Sequence, residues 1–167
     1  MNFFRSNMPL LVLLAIFLVS CSKDTMDSQV DENATGIETE VGALTPIEIE
    51  ILELLNAHRI SEGLNVLNEM DIIRAQAYMH TEYMIEKNRL SHDNFVEREY
   101  YLTEHASAHR VSEIVAFGFD TAEEVVRSWL NSDGHRSTIE GNFSHFNVSA
   151  EKNEQGLYFF TCIFIRK

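Results

Sequence analysis

Nine consecutive residues near the C-terminal end, Leu157-Tyr158-Phe159-Phe160-Thr161-Cys162-Ile163-Phe164-Ile165, form a run that is apolar in both registers. Side chains of a strand alternate between the two faces of its sheet, so such a run must be covered on both sides. It is expected as a central strand, about Leu157 to Arg166, paired with a strand over about Phe146 to Glu151 through the turn-forming Lys152-Asn153-Glu154-Gln155-Gly156. The fold therefore needs helices enough to cover two sheet faces.

Those helices are written upstream. Thr45-Pro46-Ile47-Glu48 combines a cap, a proline suited to the first helical position and a glutamate placed to complete a capping box. Ile47, Ile51, Leu54, Leu55 and His58 then recur at helical spacing until Gly63 marks the stop. A second helix is expected from about Asp71 to Asn88, with Ile73, Ala77, His80 and Met84 on one face, and a helical piece around Val96 to Glu104. Val111 to Phe117 is expected as a short strand. Thr121-Ala122-Glu123-Glu124 is another capping box, opening a helix that carries Val125, Val126 and Trp129 and stops near Ser132. Helices before and between strands imply α/β/α layering over one core, residues 46–167.

The first twenty residues have the pattern of an export signal: Arg5 supplies the positive charge, and the apolar run Pro9 to Val19 is shorter than the roughly 20 residues of a spanning helix. Leu18-Val19-Ser20-Cys21 resembles a bacterial lipobox, which implies cleavage before Cys21 and its lipidation, with the lipid as the membrane anchor. Residues 21–45 are polar and acidic, nearly without large apolar side chains, and are expected as a tether. The start Ser22-Lys23-Asp24 is compatible both with a plain linker and with a signal for the outer surface.

Without residues 1–20, 12 basic residues face 26 acidic ones, a net charge of −14 that repels phosphate backbones and anionic headgroups. Nucleic acid is excluded as a partner, and charge cannot hold the protein to a membrane. Lipidation of Cys21 leaves Cys162 unpaired, so no disulfide framework is expected, and Cys162 within its apolar run is expected as an inert core thiol.

Chemistry-bearing residues are few. The chain has no Gly-x-Ser-x-Gly elbow, no His-Glu-x-x-His motif and no glycine-rich phosphate loop. His92, Glu113 and His135 stand 21 and 22 positions apart, too far for a helix or strand repeat to bring them together. Their flanks decide the matter. Leu55-Asn56-Ala57-His58-Arg59 with Gly63-Leu64 and Leu67, then Ala75, Ala77, His80 and Met84, then Ser91-His92, then Glu113 with Ala116 and Gly118, and finally Ala122 to Trp129 with Ser132 to Arg136, follow in order the motifs of the CAP superfamily, the cysteine-rich secretory, antigen 5 and pathogenesis-related proteins. The resemblance is to the small, cysteine-poor bacterial branch, over about residues 46–167.

The resemblance implies an α+β fold, a three-layer α-β-α sandwich with a small central antiparallel sheet. It also implies that His92 and His135 face each other across a cleft able to bind a divalent ion, zinc foremost, and that Glu113 lines the same cleft. Two departures weaken a catalytic role: Ser132 stands where larger members carry a second glutamate, and Ser112-Glu113-Ile114 replaces Gly-Glu-Asn. Among the remaining histidines, His80 is expected as a core residue with one hydrogen bond. His58, His105, His109 and His145 are expected as ordinary polar groups, Arg136 as a tie to acidic neighbours and Trp129 as a core anchor.

The expectation is an exported, lipid-anchored protein of the outer membrane or cell surface. Its cleft would serve a non-enzymatic binding module for a small lipid or protein ligand. The rival readings are a metal-dependent hydrolase of peptide or cell-envelope substrates with Glu113 as general base, and a structural envelope protein with a vestigial cleft.

Overall fold

The computed structural model describes residues 41–167. Along them run α1 (Pro46–Ser61), β1 (Asn68–Glu69), α2 (Asp71–Lys87), α3 (Phe95–Ala106), β2 (Arg110–Phe117), α4 (Ala122–Leu130), α5 (Asp133–Ile139), β3 (His145–Lys152) and β4 (Tyr158–Arg166). The expected signal peptide, Cys21 and most of the expected tether lie outside the described residues.

Strand order is β1-β3-β4-β2, so β4 is central, as its two-sided apolar pattern demands. Its residues divide by parity. Phe160, Cys162 and Phe164 join Ile51, Leu52 and Leu55 of α1, Val125, Val126 and Trp129 of α4 and Ile139 of α5 in one core. Ile163 and Ile165 turn to the other face, against Ile73 and Ala77 of α2 and Leu102 and Ala106 of α3. Phe159 joins Met84 and Val115 on that second side. The three-layer α-β-α sandwich follows directly from this alternation.

Pairing of β4 with both β2 and β3 is antiparallel, with Ile114 and Val148 each opposite Cys162. The sheet is not wholly antiparallel, because the two-residue β1 pairs in parallel with β3 through Asn68 and His145. No propensity marks this pair; β1 is held there because the Asn56 side chain bonds both the N–H (2.8 Å) and the C=O (3.1 Å) of Leu67 beside it. A second departure is α5, a further helix directly after the expected stop near Ser132. Ser132 takes extended backbone angles before it, and Ile139, fully buried, fixes it to the core.

Several motif residues prove to be staples of the fold. Buried Arg59 on α1 donates to the carbonyls of Asn65 (2.9 Å), Ile139 (2.6 Å) and Gly141 (2.9 Å), tying the end of α5 to the loop before β1. His58 adds a 3.0 Å contact to Glu140. At Gly141 an added Cβ would lie 2.5 Å from the Phe143 ring, so a side chain there must displace a buried aromatic. Trp129 donates its indole N–H to Val115 O at 3.2 Å, which satisfies its polar end within the core.

The start of the domain is fixed through a buried carboxylate. Glu48 caps α1 by accepting from Thr45 N–H (2.7 Å), and it also accepts from Ala150 N–H (3.1 Å) on β3 and from Arg74 (3.2 Å) on α2. Arg74 further donates to the carbonyls of Val41, Gly42 and Ala43. Ordered contacts to the domain thus begin before Pro46, inside the segment expected as tether.

Candidate functional site

Strand alternation on β2 places Glu113 with Val111 and Val115 on the sheet face covered by α2 and α3, while Ile114 and Ala116 point into the opposite core. A carboxylate entering that layer must be paired. Arg98 on α3 meets it in a two-pronged contact, Nε donating to Oε2 at 2.8 Å and Nη2 to Oε1 at 2.9 Å. His92 Nδ1 lies 2.8 Å from Oε1, which makes that nitrogen the donor because the carboxylate can only accept. The Glu113 side chain is 1% exposed and the His92 side chain 52%, so the pair runs from the protein interior to the surface.

The loop carrying His92 is pinned from both neighbouring helices. His80 Nε2 on α2 is 2.8 Å from Ser91 O, and Arg98 Nη1 on α3 donates to Asp93 O at 2.7 Å. Tyr83 donates its hydroxyl to Asp93 Oδ2 at 2.9 Å, and Arg89 pairs with the same oxygen. His92 is therefore held in one orientation by Glu113, with its Nε2 directed away from the bond at Nδ1. This is the carboxylate–histidine arrangement that fixes the tautomer of a metal-ligating or proton-transferring imidazole.

His135 sits on α5, a separate element from His92. Burial, and after it the charge of His92, pushes His135 below the ordinary histidine range. Both a neutral His135 and a His92 with Nε2 unprotonated are the forms a divalent ion requires. A depression of about 300 Å³ beside His92 is lined by His92, Phe95, Val111, Ser112, Glu113 and, from α5, Thr138. Among the described residues, no three His, Cys, Asp or Glu side chains are placed to hold one ion. A metal here would rest on His92 and His135 and complete its shell with water.

Arg98 is the site residue that sequence reasoning missed. It lies in the helical stretch expected around Val96 to Glu104, and nothing in its local spacing marks it; the signal that could have found it is the need of Glu113 for a partner once β2 places it in a covered layer. The apolar Ile114 in place of asparagine does not disturb Glu113, since the two residues face opposite sides of the sheet. Ser132, standing where larger relatives carry glutamate, caps the start of α5 by its backbone. His80 is buried with its single hydrogen bond to Ser91, and burial, opposed by Glu113, pushes it below the ordinary histidine range. Arg136 pairs with Asp133 at 2.5 Å, and His105 and His145 make only local contacts, to Tyr101 O and Ser144 Oγ. Cys162 is fully buried, and burial pushes its thiol well above the usual range, so it is not a nucleophile.

A three-layer sandwich with a buried Arg–Glu pair orienting a surface histidine, and a second histidine on the short helix α5, defines a CAP-type domain. The chain belongs to the CAP, or cysteine-rich secretory protein, family, whose family model matches residues 52–164. It is 29% identical over 136 residues to the uncharacterized protein YkwD of Bacillus subtilis, which covers 77% of this chain and 51% of that protein. It is 30% identical over 115 residues to the uncharacterized membrane protein YlbC of the same organism, covering 65% of this chain and 32% of YlbC. The chain thus spans about half of the first relative's length and a third of the second's.

Solved structures show the same fold. An outer surface protein from Borrelia burgdorferi superposes with a TM-score of 0.66 at 21% identity, over 75% of this chain and 96% of that one. An extracellular Bacillus anthracis protein containing an SCP domain gives 0.62 at 25% identity, over 75% of this chain and 45% of its own.

Proposed function

We propose that this chain is an exported, lipid-anchored CAP-domain protein that works as a non-enzymatic binding module, with a cleft at His92, Glu113 and His135 that takes one divalent metal, zinc foremost. The observation that carries the reading is the state of Glu113. Both of its oxygens accept from Arg98 and one also from His92, and the side chain is closed from solvent. A general base for hydrolysis must reach a water; Glu113, closed from solvent and held by three hydrogen bonds, serves instead to orient His92. This favours binding over the metal-dependent hydrolase reading.

Export and anchoring rest on the signal-like first twenty residues and on Leu18-Val19-Ser20-Cys21. The chain's similarity to an outer surface protein, an extracellular protein and a membrane protein supports the same reading. The ligand class that suits the module is a small lipid or a protein surface, with nucleic acid disfavoured by the acidic surface. Cys21→Ser is expected to release the protein from detergent-phase partitioning or to leave it unprocessed; unchanged maturation and partitioning in that variant would refute anchoring through Cys21.

Zinc should bind with about one equivalent and perturb the His92 and His135 ring resonances together. Binding should be lost in His92→Ala/His135→Ala, and it should weaken as the pH falls into and below the ordinary histidine range, His135 being held low by burial, because the protonated ring has no lone pair for the ion. Independent responses of the two rings, or unchanged binding in the double variant, would exclude the two-histidine site, since zinc–nitrogen bonds are only about 2 Å long.

A further inference from the structure

Among the described residues β2 is an outer strand of the sheet, and its register with β4 fixes which of its main-chain groups look outward. In an antiparallel ladder, hydrogen-bonded pairs alternate with unbonded ones. Gly118 N–H donates to Tyr158 O at 2.9 Å just past the strand end. Counting back in twos, Ala116, Ile114 and Ser112 also bond β4, while the N–H and C=O of Val115, Glu113 and Val111 point away from it. Trp129 agrees with this phase, because its indole N–H reaches Val115 O from outside the sheet.

Trp129 occupies the edge at Val115, and among the described residues no other hydrogen bond reaches it. Two residues earlier the edge is open. The Glu113 side chain is 1% exposed, yet the residue as a whole is half-buried, so what solvent reaches there is main chain. This stretch borders the depression beside His92, walled by His92 and Phe95 from the side of α3 and by Thr138 from α5.

Unpaired N–H and C=O groups at the pitch of a strand are matched by another extended main chain. The open stretch, Val111 to Glu113, is too short and too walled for the sheet of a second folded domain, whereas a linear segment fits. The excess of 26 acidic over 13 basic residues favours a basic one. We propose that the cleft takes a basic, extended peptide segment, added as a short strand to β2 through the N–H and C=O of Val111 and Glu113. The proposal rests on reading the cleft as a binding site and needs no metal.

The test uses the full chain and two probes of equal charge, acetyl-Lys-Thr-Val-Thr-Val-Lys-amide and its counterpart methylated at every main-chain nitrogen, which keeps the side chains and loses the donors. In ¹H–¹⁵N spectra the unmethylated peptide is expected to saturate, to move the Val111 and Glu113 amide protons downfield and to slow their exchange. The Ser112 amide, already bonded to β4, should shift least. The methylated peptide should bind roughly tenfold more weakly or worse, since one net hydrogen bond is worth up to about that factor. Val111→Pro removes an outward N–H and spares the β4 ladder, a change an edge strand tolerates, and should weaken binding similarly. Thr138→Trp, at a half-buried wall position, should fill the groove and abolish binding. The proposal is overturned if binding does not saturate, if the methylated peptide binds equally, if the Val111 and Glu113 amides stay unmoved, or if Thr138→Trp binds undiminished. It is overturned too if those amides are already protected in a dimer without peptide, which would make the edge an interface between copies. Zinc titration of the same chain reports the metal site separately, so failure of the peptide beside intact zinc binding sinks strand addition alone.

Discussion

Arg98→Met is expected to destabilise the domain by about 3–5 kcal/mol at neutral pH, because it leaves the Glu113 carboxylate buried with His92 as its remaining side-chain donor. The size of the effect comes from the unpaired charge and not from the worth of the pair. Adding Glu113→Gln should therefore restore part of the loss, since an amide costs far less to bury than a carboxylate. Urea unfolding of the parent, the single variants and the double variant measures this cycle. A loss below about 1 kcal/mol for Arg98→Met, or strict additivity in the double variant, would show that the pair is not a buried unit.

Phe164→Ala should cost a comparable amount, about 3–5 kcal/mol, for a different reason. Phe164 is fully buried on the central strand, with Phe143 and Phe146 rings 5.7 and 6.0 Å from its own, and close-packed neighbours cannot collapse into the space it leaves. Substitutions among residues 22–40 should leave stability near that of the parent. Equal losses in the two regions by thermal or urea unfolding would overturn the division into an acidic tether and a packed domain.

The contrast between these two sites shows what kind of information a sequence holds. Phe164 is legible because the pattern that makes it a core residue is local: a run apolar in both registers has one stable setting, between two helical layers. The capping boxes at Thr45 and Thr121 are local in the same way, and both helices start where expected. The bounds of α2, β2, β3 and β4 differ from expectation by a residue or two, as fraying ends do. His92, Glu113 and His135 are singled out by motif order, which carries information that spacing along the chain does not.

Other features depend on partners distant in sequence. The short β1 exists because Asn56 holds Leu67 beside β3, and α5 because Ile139 reaches the core. Neither has a local pattern strong enough to announce it. Arg98 is the clearest case: on a helix rich in charge it is one arginine among several polar residues, and only the folding of α3 across β2 selects it as the partner of Glu113. The sequence by itself determined the layers and the central strand, since burial periodicity is a property of short segments. The tertiary structure alone decided that Glu113 orients His92 and is itself held by Arg98, because the pairing of a buried charge depends on which side chains two packed elements bring together.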